Sequence, residues 1–117
     1  MIFRLLQKYK ISKTAKIFDF GCGSGYTIGY LQRMGYDAFG TDVSVEAVKF
    51  GLSNGIRNLC VAQNAEIKPP EGGFDLILAL DVIEHIKDDT EAIKAIETAL
   101  RPGGMAIITV PAYQWMW

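Results

Sequence analysis

Gly21, Gly23 and Gly25 stand at alternate positions directly after a short apolar run, Ile17 to Phe20, that only Asp19 interrupts. Glycine is needed where the backbone takes a positive φ, or where a ligand lies against the main chain with no Cβ between them. A bare turn needs only one such residue, so three in five residues point to a bound molecule. Asp42 follows Asp19 by 23 residues, close to the offset at which an acid ending a second strand accepts hydrogen bonds from ribose hydroxyls. His85, the one histidine, is the side chain suited to take a proton near neutral pH, and Glu84 adjoins it. Cys22 and Cys60 are too few and too far apart for a zinc site or a disulfide framework, and they read as free thiols in a reducing cytoplasm.

The elements that must position these residues alternate. Ile2, Leu5, Leu6 and Tyr9 recur at helical spacing, and Lys16 to Phe20 is a strand. A helix starts at Tyr26, carries Ile28, Leu31 and Met34 on one stripe, and meets Gly35 where a left-handed cap belongs. Tyr36 to Thr41 is a second strand, ending at Asp42. Ser44 caps a helix over Val45 to Leu52, which Asn54-Gly55 terminates. Leu59 to Ala62 is a short third strand, and the loop Ile67 to Gly73 replaces a crossover helix. Phe74 to Leu80 is nearly unbroken apolar sequence, as in a strand buried on both faces. Asp88 and Glu91 form a capping box before a helix lined by Ala92, Ile93, Ile96, Ala99 and Leu100. Arg101-Pro102-Gly103-Gly104 ends that helix, and Met105 to Val110 is a fifth strand. Alternation of this kind predicts right-handed crossovers and an open parallel sheet covered on both faces, an α/β fold.

The glycine turn is not the dinucleotide fingerprint, whose third glycine would fall where Tyr26 stands. An acid followed by G-x-G-x-G resembles motif I of the class I S-adenosylmethionine-dependent methyltransferases. The segment Asp81-Val82-Ile83-Glu84-His85 and the phrase L-R-P-G-G-M-A-I-I-T-V-P are also similar to that family, and the likeness covers residues 16–111. The resemblance implies a Rossmann-like three-layer α/β/α sandwich with strand order 3-2-1-4-5. The family's last two strands, an antiparallel pair beside the fifth, have no counterpart before Trp117. It therefore implies one S-adenosylmethionine-binding domain over 1–117, the amino-terminal portion of a longer enzyme, whose fifth strand becomes an edge open to a second copy.

The same resemblance implies a cofactor set of Asp19, Gly21, Cys22, Gly23, Gly25, Tyr26, Asp42, Val43, Asn64, Ala65, Leu80 and Asp81. Asp42 would hold the ribose, Asn64 would accept from the adenine amino group, and Tyr26 would cover the amino-acid end. Asp19 would reach the ammonium through water or order the loop. Its alternative role is a buried carboxylate satisfied by loop amides. His85 would be the base or would brace the acceptor loop. The expected activity is methyl transfer to an O, N or C nucleophile of a quinone, lipid or glycan. The alternatives are an NAD-dependent oxidoreductase domain and a non-catalytic nucleoside-binding module.

Composition narrows the rest. A chain of 117 residues buries roughly two thirds of its unfolded surface, enough for one core. Half its residues are hydrophobic, and a net charge of -1 supplies no global field for a nucleic-acid backbone. No apolar run nears the roughly 18 residues that span a bilayer, and no secretory leader is legible before Ser12.

Overall fold

The computed structural model describes residues 2–63, 66–80 and 89–109. Its elements are α1 (Ile2–Lys8), β1 (Lys16–Phe20), α2 (Tyr26–Arg33), β2 (Asp37–Asp42), α3 (Val45–Ser53), β3 (Leu59–Val61), β4 (Phe74–Leu80), α4 (Asp89–Ala99) and β5 (Leu100–Thr109). The five strands form one sheet in the order β3-β2-β1-β4-β5, with every ladder parallel. This is the predicted α/β architecture. Helix and strand bounds agree with the sequence to within a residue or two up to β4.

Two-residue periodicity divides each central strand between two cores. Ile17, Ala38, Leu76 and Leu78 face one side, where they join Leu6 of α1, Ile28 and Leu31 of α2 and Val48 of α3. Phe18, Phe20, Ile77 and Ala79 face the other, against Ala92, Ile96 and Ala99 of α4. Phe74 anchors this second core, its ring 5.0 Å from that of Phe18 and 5.7 Å from that of Phe39. Gln32 fastens α2 to the sheet: its amide nitrogen donates to the carbonyls of Ala38 (3.1 Å) and Arg57 (2.8 Å), and its oxygen accepts from the Arg57 N–H (3.2 Å).

The structure departs from the sequence reading around α4 and β5. Ile93, placed on the inner stripe, is 39% exposed, because the face that α4 turns to the sheet is narrow and filled by Ala92, Ile96 and Ala99. Leu100 is already strand. It pairs with Phe74 while Met105 pairs with Leu76, so Arg101 to Gly104 all stand opposite Asp75. The R-P-G-G stretch is thus a bulge inside β5 rather than a turn before it. Asp75 holds the bulge in place. One carboxylate oxygen accepts from the Lys16 N–H at 2.7 Å, and the other is ion-paired with the Arg101 guanidinium. Gly73 makes room, since a Cβ there would lie 2.6 Å from the Arg101 nitrogen. The capping box cannot be followed, because Asp88 lies outside the described residues.

Removing the Asp75 carboxylate strands a strand-end N–H and frees the bulge together. Asp75→Ala is expected to cost about 2 kcal/mol in urea unfolding. Arg101→Ala, whose side chain is half exposed, should cost less than about 1 kcal/mol.

Candidate functional site

The carboxyl ends of β1, β2 and β4 meet where the strand order reverses, the place at which open α/β sheets bind ligands. The turn leaving β1 is left-handed at all three alternate glycines: φ is 75° at Gly21, 58° at Gly23 and 85° at Gly25. Its amides are drawn to the end of β2. Thr41's carbonyl accepts from the N–H groups of both Gly21 (3.0 Å) and Cys22 (2.8 Å). Asp42 takes the next one, with its Oδ2 accepting from the Gly23 N–H at 2.8 Å. Its Oδ1 accepts from the Ser44 N–H at 2.9 Å, and the Ser44 hydroxyl in turn accepts from the Ala47 N–H at 3.1 Å to cap α3. One half-buried carboxylate therefore fixes both the glycine turn and the entry to α3.

Gly23 and Gly25 serve different ends. A Cβ on Gly23 would meet nothing within 4 Å, so the turn borders open space there. A Cβ on Gly25 would press on Leu59 (2.9 Å) and Ile56 (3.3 Å), so that position is closed by protein. Tyr26, beside Gly25, is 81% exposed, and Val43, beside Asp42, is 62% exposed. Cys22 turns its side chain into the core, where a Cβ on Gly40 would lie only 2.7 Å from its own. Burial first, and then the charges of Asp19 and Asp42, push its thiol up to about 12. It is a neutral packing group, and any part it plays toward a ligand runs through its main chain.

Asp19 lies within β1, paired with Gly40 on one side and Leu78 on the other, and is 4% exposed. The loop amides do not satisfy it, contrary to that alternative, because Thr41 and Asp42 take the N–H groups of Gly21, Cys22 and Gly23. Burial, and secondly the Asp42 carboxylate, raise its pKa from 3.8 to about 7. A positive group placed beside it would favour the ionised form. Leu80 ends β4 and packs against the first core. Asn64, Ala65, Asp81, Glu84 and His85 lie outside the described residues. Among the described residues no cluster of His, Cys, Asp or Glu could hold a metal ion.

Sequence reasoning missed Gly51. A Cβ on this α3 residue would overlap the Ser24 carbonyl oxygen and lie 2.6 Å from Leu59, so α3 presses directly on the glycine turn. The signal was available: a glycine inside a helix gives up about 1 kcal/mol relative to alanine, which calls for a close approach. Thr41 acts through its carbonyl and leaves no mark in the sequence.

Gly51→Ala is expected to destabilise the chain by about 1–3 kcal/mol in urea unfolding, because the obstacle is backbone and cannot rotate away. The Asp19 acid, with its folded pKa above the unfolded one, is favoured by the fold when protonated. Its stabilisation is complete below the unfolded value of 3.8 and is lost as pH rises through about 7. The stability of Asp19→Asn minus that of the wild type should therefore grow from about pH 4 to about pH 8, by up to about 4 kcal/mol in urea titrations.

Residues 2–117 match the model of a methyltransferase domain family. The chain is 30% identical over 101 residues to a ubiquinone biosynthesis O-methyltransferase of Xanthomonas euvesicatoria, covering 81% of this chain and 42% of that one. It is 33% identical over 100 residues to phosphoethanolamine N-methyltransferase 3 of Arabidopsis thaliana, covering 80% and 20% respectively. Among solved structures, a TehB-like S-adenosylmethionine-dependent methyltransferase of Corynebacterium glutamicum superposes with a TM-score of 0.74 at 29% identity, over 89% of this chain and 59% of its own. An S-adenosylmethionine-dependent methyltransferase of Clostridium acetobutylicum shares the fold with a TM-score of 0.78 at 21% identity, over 96% of this chain and 48% of its own. The chain spans less than half the length of the two sequence relatives.

Proposed function

We propose, because this chain belongs to the methyltransferase domain family, that it binds S-adenosylmethionine at the carboxyl ends of β1 and β2. The reaction served is methyl transfer to an O, N or C nucleophile of a small molecule. The observation that carries this reading is the pairing of an open position at Gly23 with a carboxylate, Asp42, that touches the same residue. Each Asp42 oxygen has one backbone donor and retains a second acceptor site for a sugar hydroxyl. The N–H groups of Gly21, Cys22 and Gly23 are engaged by β2, so that part of the turn lacks the free donors with which dinucleotide folds hold a pyrophosphate. That weighs against the NAD-dependent alternative.

S-adenosylmethionine, when bound, supplies a methyl group already activated on a sulfonium, which leaves orientation and the exclusion of water to the protein. Asp19 fits a cationic ligand, since a positive charge nearby offsets the burial that holds its carboxyl near neutrality. Tyr26 and Val43 offer exposed apolar surface on either side of the turn. His85 is assigned the proton of a hydroxyl acceptor. A His85→Ala variant with an unchanged methylation rate would remove it from that role. The ubiquinone O-methyltransferase and phosphoethanolamine N-methyltransferase relatives support a small-molecule acceptor, for which we favour the quinone, lipid or glycan class.

The whole of 1–117 is taken as one cofactor-binding domain. Its free thiols favour a reducing, cytoplasmic setting. β5 ends the strand order and exposes Ile108, which makes it the edge through which two copies would pair. A single monomeric species at all concentrations in sedimentation would count against pairing.

S-adenosylhomocysteine at about 100 times its Kd should raise stability by about 2.7 kcal/mol in thermal unfolding, whereas NAD should give no shift. Asp42→Asn, which keeps one acceptor oxygen, should weaken the complex by about tenfold or more, about 1.4 kcal/mol by calorimetry. Saturable binding of NAD without S-adenosylhomocysteine would overturn the assignment.

A further inference from the structure

Positive charge is unevenly placed in this chain. Arg4, Lys8, Lys10, Lys13 and Lys16 give the first sixteen residues five of the twelve basic side chains and none of the thirteen acidic ones, so the remainder is net negative. In the fold, Leu6 is buried in the first core, and Ile2 and Ile11 pack against it. This leaves Phe3, Arg4, Gln7, Lys8 and Tyr9 of the same stretch exposed.

α1 closes through the Lys10 N–H to the Gln7 carbonyl (3.1 Å) and the Ile11 N–H to the Leu6 carbonyl (2.9 Å). Lys10 stands at φ 53°, in a conformation that favours glycine. The Lys8 ammonium lies 5.4 Å from the centre of the Tyr9 ring. Lys13 is held over the Tyr36 ring at 4.4 Å and donates to the Met34 carbonyl at 2.9 Å. No described carboxylate is ion-paired with Arg4, Lys8, Lys10 or Lys13. Attraction to the carboxyl end of α1 accounts for Lys8 and Lys10, and Tyr36 and Met34 hold Lys13, but neither accounts for Arg4 or the exposed Phe3 ring.

We propose that residues 2–13 form a docking face for an anionic membrane surface, with the basic side chains against lipid headgroups and Phe3 and Tyr9 at the interface. Charge complementarity supplies the attraction, since a basic segment beside an anionic leaflet gains roughly five-fold in partition per Lys or Arg. Aromatic rings flanked by cations suit the boundary between headgroups and acyl chains. The remaining, acidic part of the chain is repelled by the same surface, which orients the molecule. Among the described residues no helix is long and apolar enough to cross a membrane, so the contact is peripheral. It is independent of the cofactor site.

The test is co-sedimentation of the 117-residue chain with vesicles of phosphatidylglycerol and phosphatidylcholine, against phosphatidylcholine alone. Binding is expected only with the anionic vesicles, and should weaken as added salt shortens the screening length. Lys8→Gln/Lys10→Gln should lower the partition roughly twenty-fold, while Lys68→Gln/Lys94→Gln, equal in charge but outside the face, should leave it unchanged. Phe3→Ser should weaken binding while keeping its salt dependence, and circular dichroism should show all variants folded as the parent. Equal partition onto both vesicle types, equal loss in the two lysine pairs, or capture of a single-stranded oligonucleotide in place of vesicles would overturn the proposal.

Discussion

The arrangement of the candidate site depends on the end of β2 acting as the acceptor for the turn that leaves β1. A turn built of left-handed residues presents its N–H groups in awkward directions, and each one left without a partner costs more than a made bond returns. The Thr41 carbonyl and the Asp42 carboxylate take three consecutive N–H groups, and Asp42 also takes the N–H at the entry to α3. The turn is thereby held before any ligand arrives. This is the preorganisation that saves a binding site the entropy of ordering a loop.

Closeness is the second constraint, and it is met by leaving side chains out. Gly40 in β2 yields its space to Cys22, Gly25 yields to Leu59 and Ile56, and Gly51 in α3 yields to the Ser24 carbonyl. Gly23 of the turn yields to open space. Gly23 and Gly25, which look alike in the sequence, thus differ: at Gly25 protein approaches protein, and at Gly23 the main chain borders open space. The wedge formed by α3, β3 and the turn explains why a helix of nine residues tolerates Gly51 near its end.

Much of this was legible in the sequence because it follows from local patterns. The unbroken apolar run of β4 marks a central strand, and strict alternation of elements marks parallel crossovers, while the order β3-β2-β1-β4-β5 was implied by the family resemblance. The three left-handed glycines and the Ser44 cap were legible for the same reason. What escaped depends on distant partners. Arg101 to Gly104 read as a helix stop, as they would in isolation, yet Asp75 and the bare backbone of Gly73 draw them into β5 as a bulge. Ile93 has the right spacing for the inner stripe of α4, but the face is already filled by smaller neighbours. The loop amides could have gone to Asp19 or Asp42 on spacing alone. The ladder, which sets Asp19 beside Gly40 and Leu78 in mid-strand, leaves the Thr41 carbonyl and Asp42 as their acceptors.

Two carboxyl groups near one turn then divide the electrostatic work. Asp42 is half-buried, with both oxygens on backbone donors. Asp19 is buried beside that charge and is held to about 7. Near neutral pH its acid form is populated, so a ligand that requires it ionised must draw the proton off. That step grows costlier as pH falls below about 7. A cationic ligand would therefore meet a turn that Asp42 holds in place and a buried carboxyl, Asp19, whose ionised form a positive charge favours.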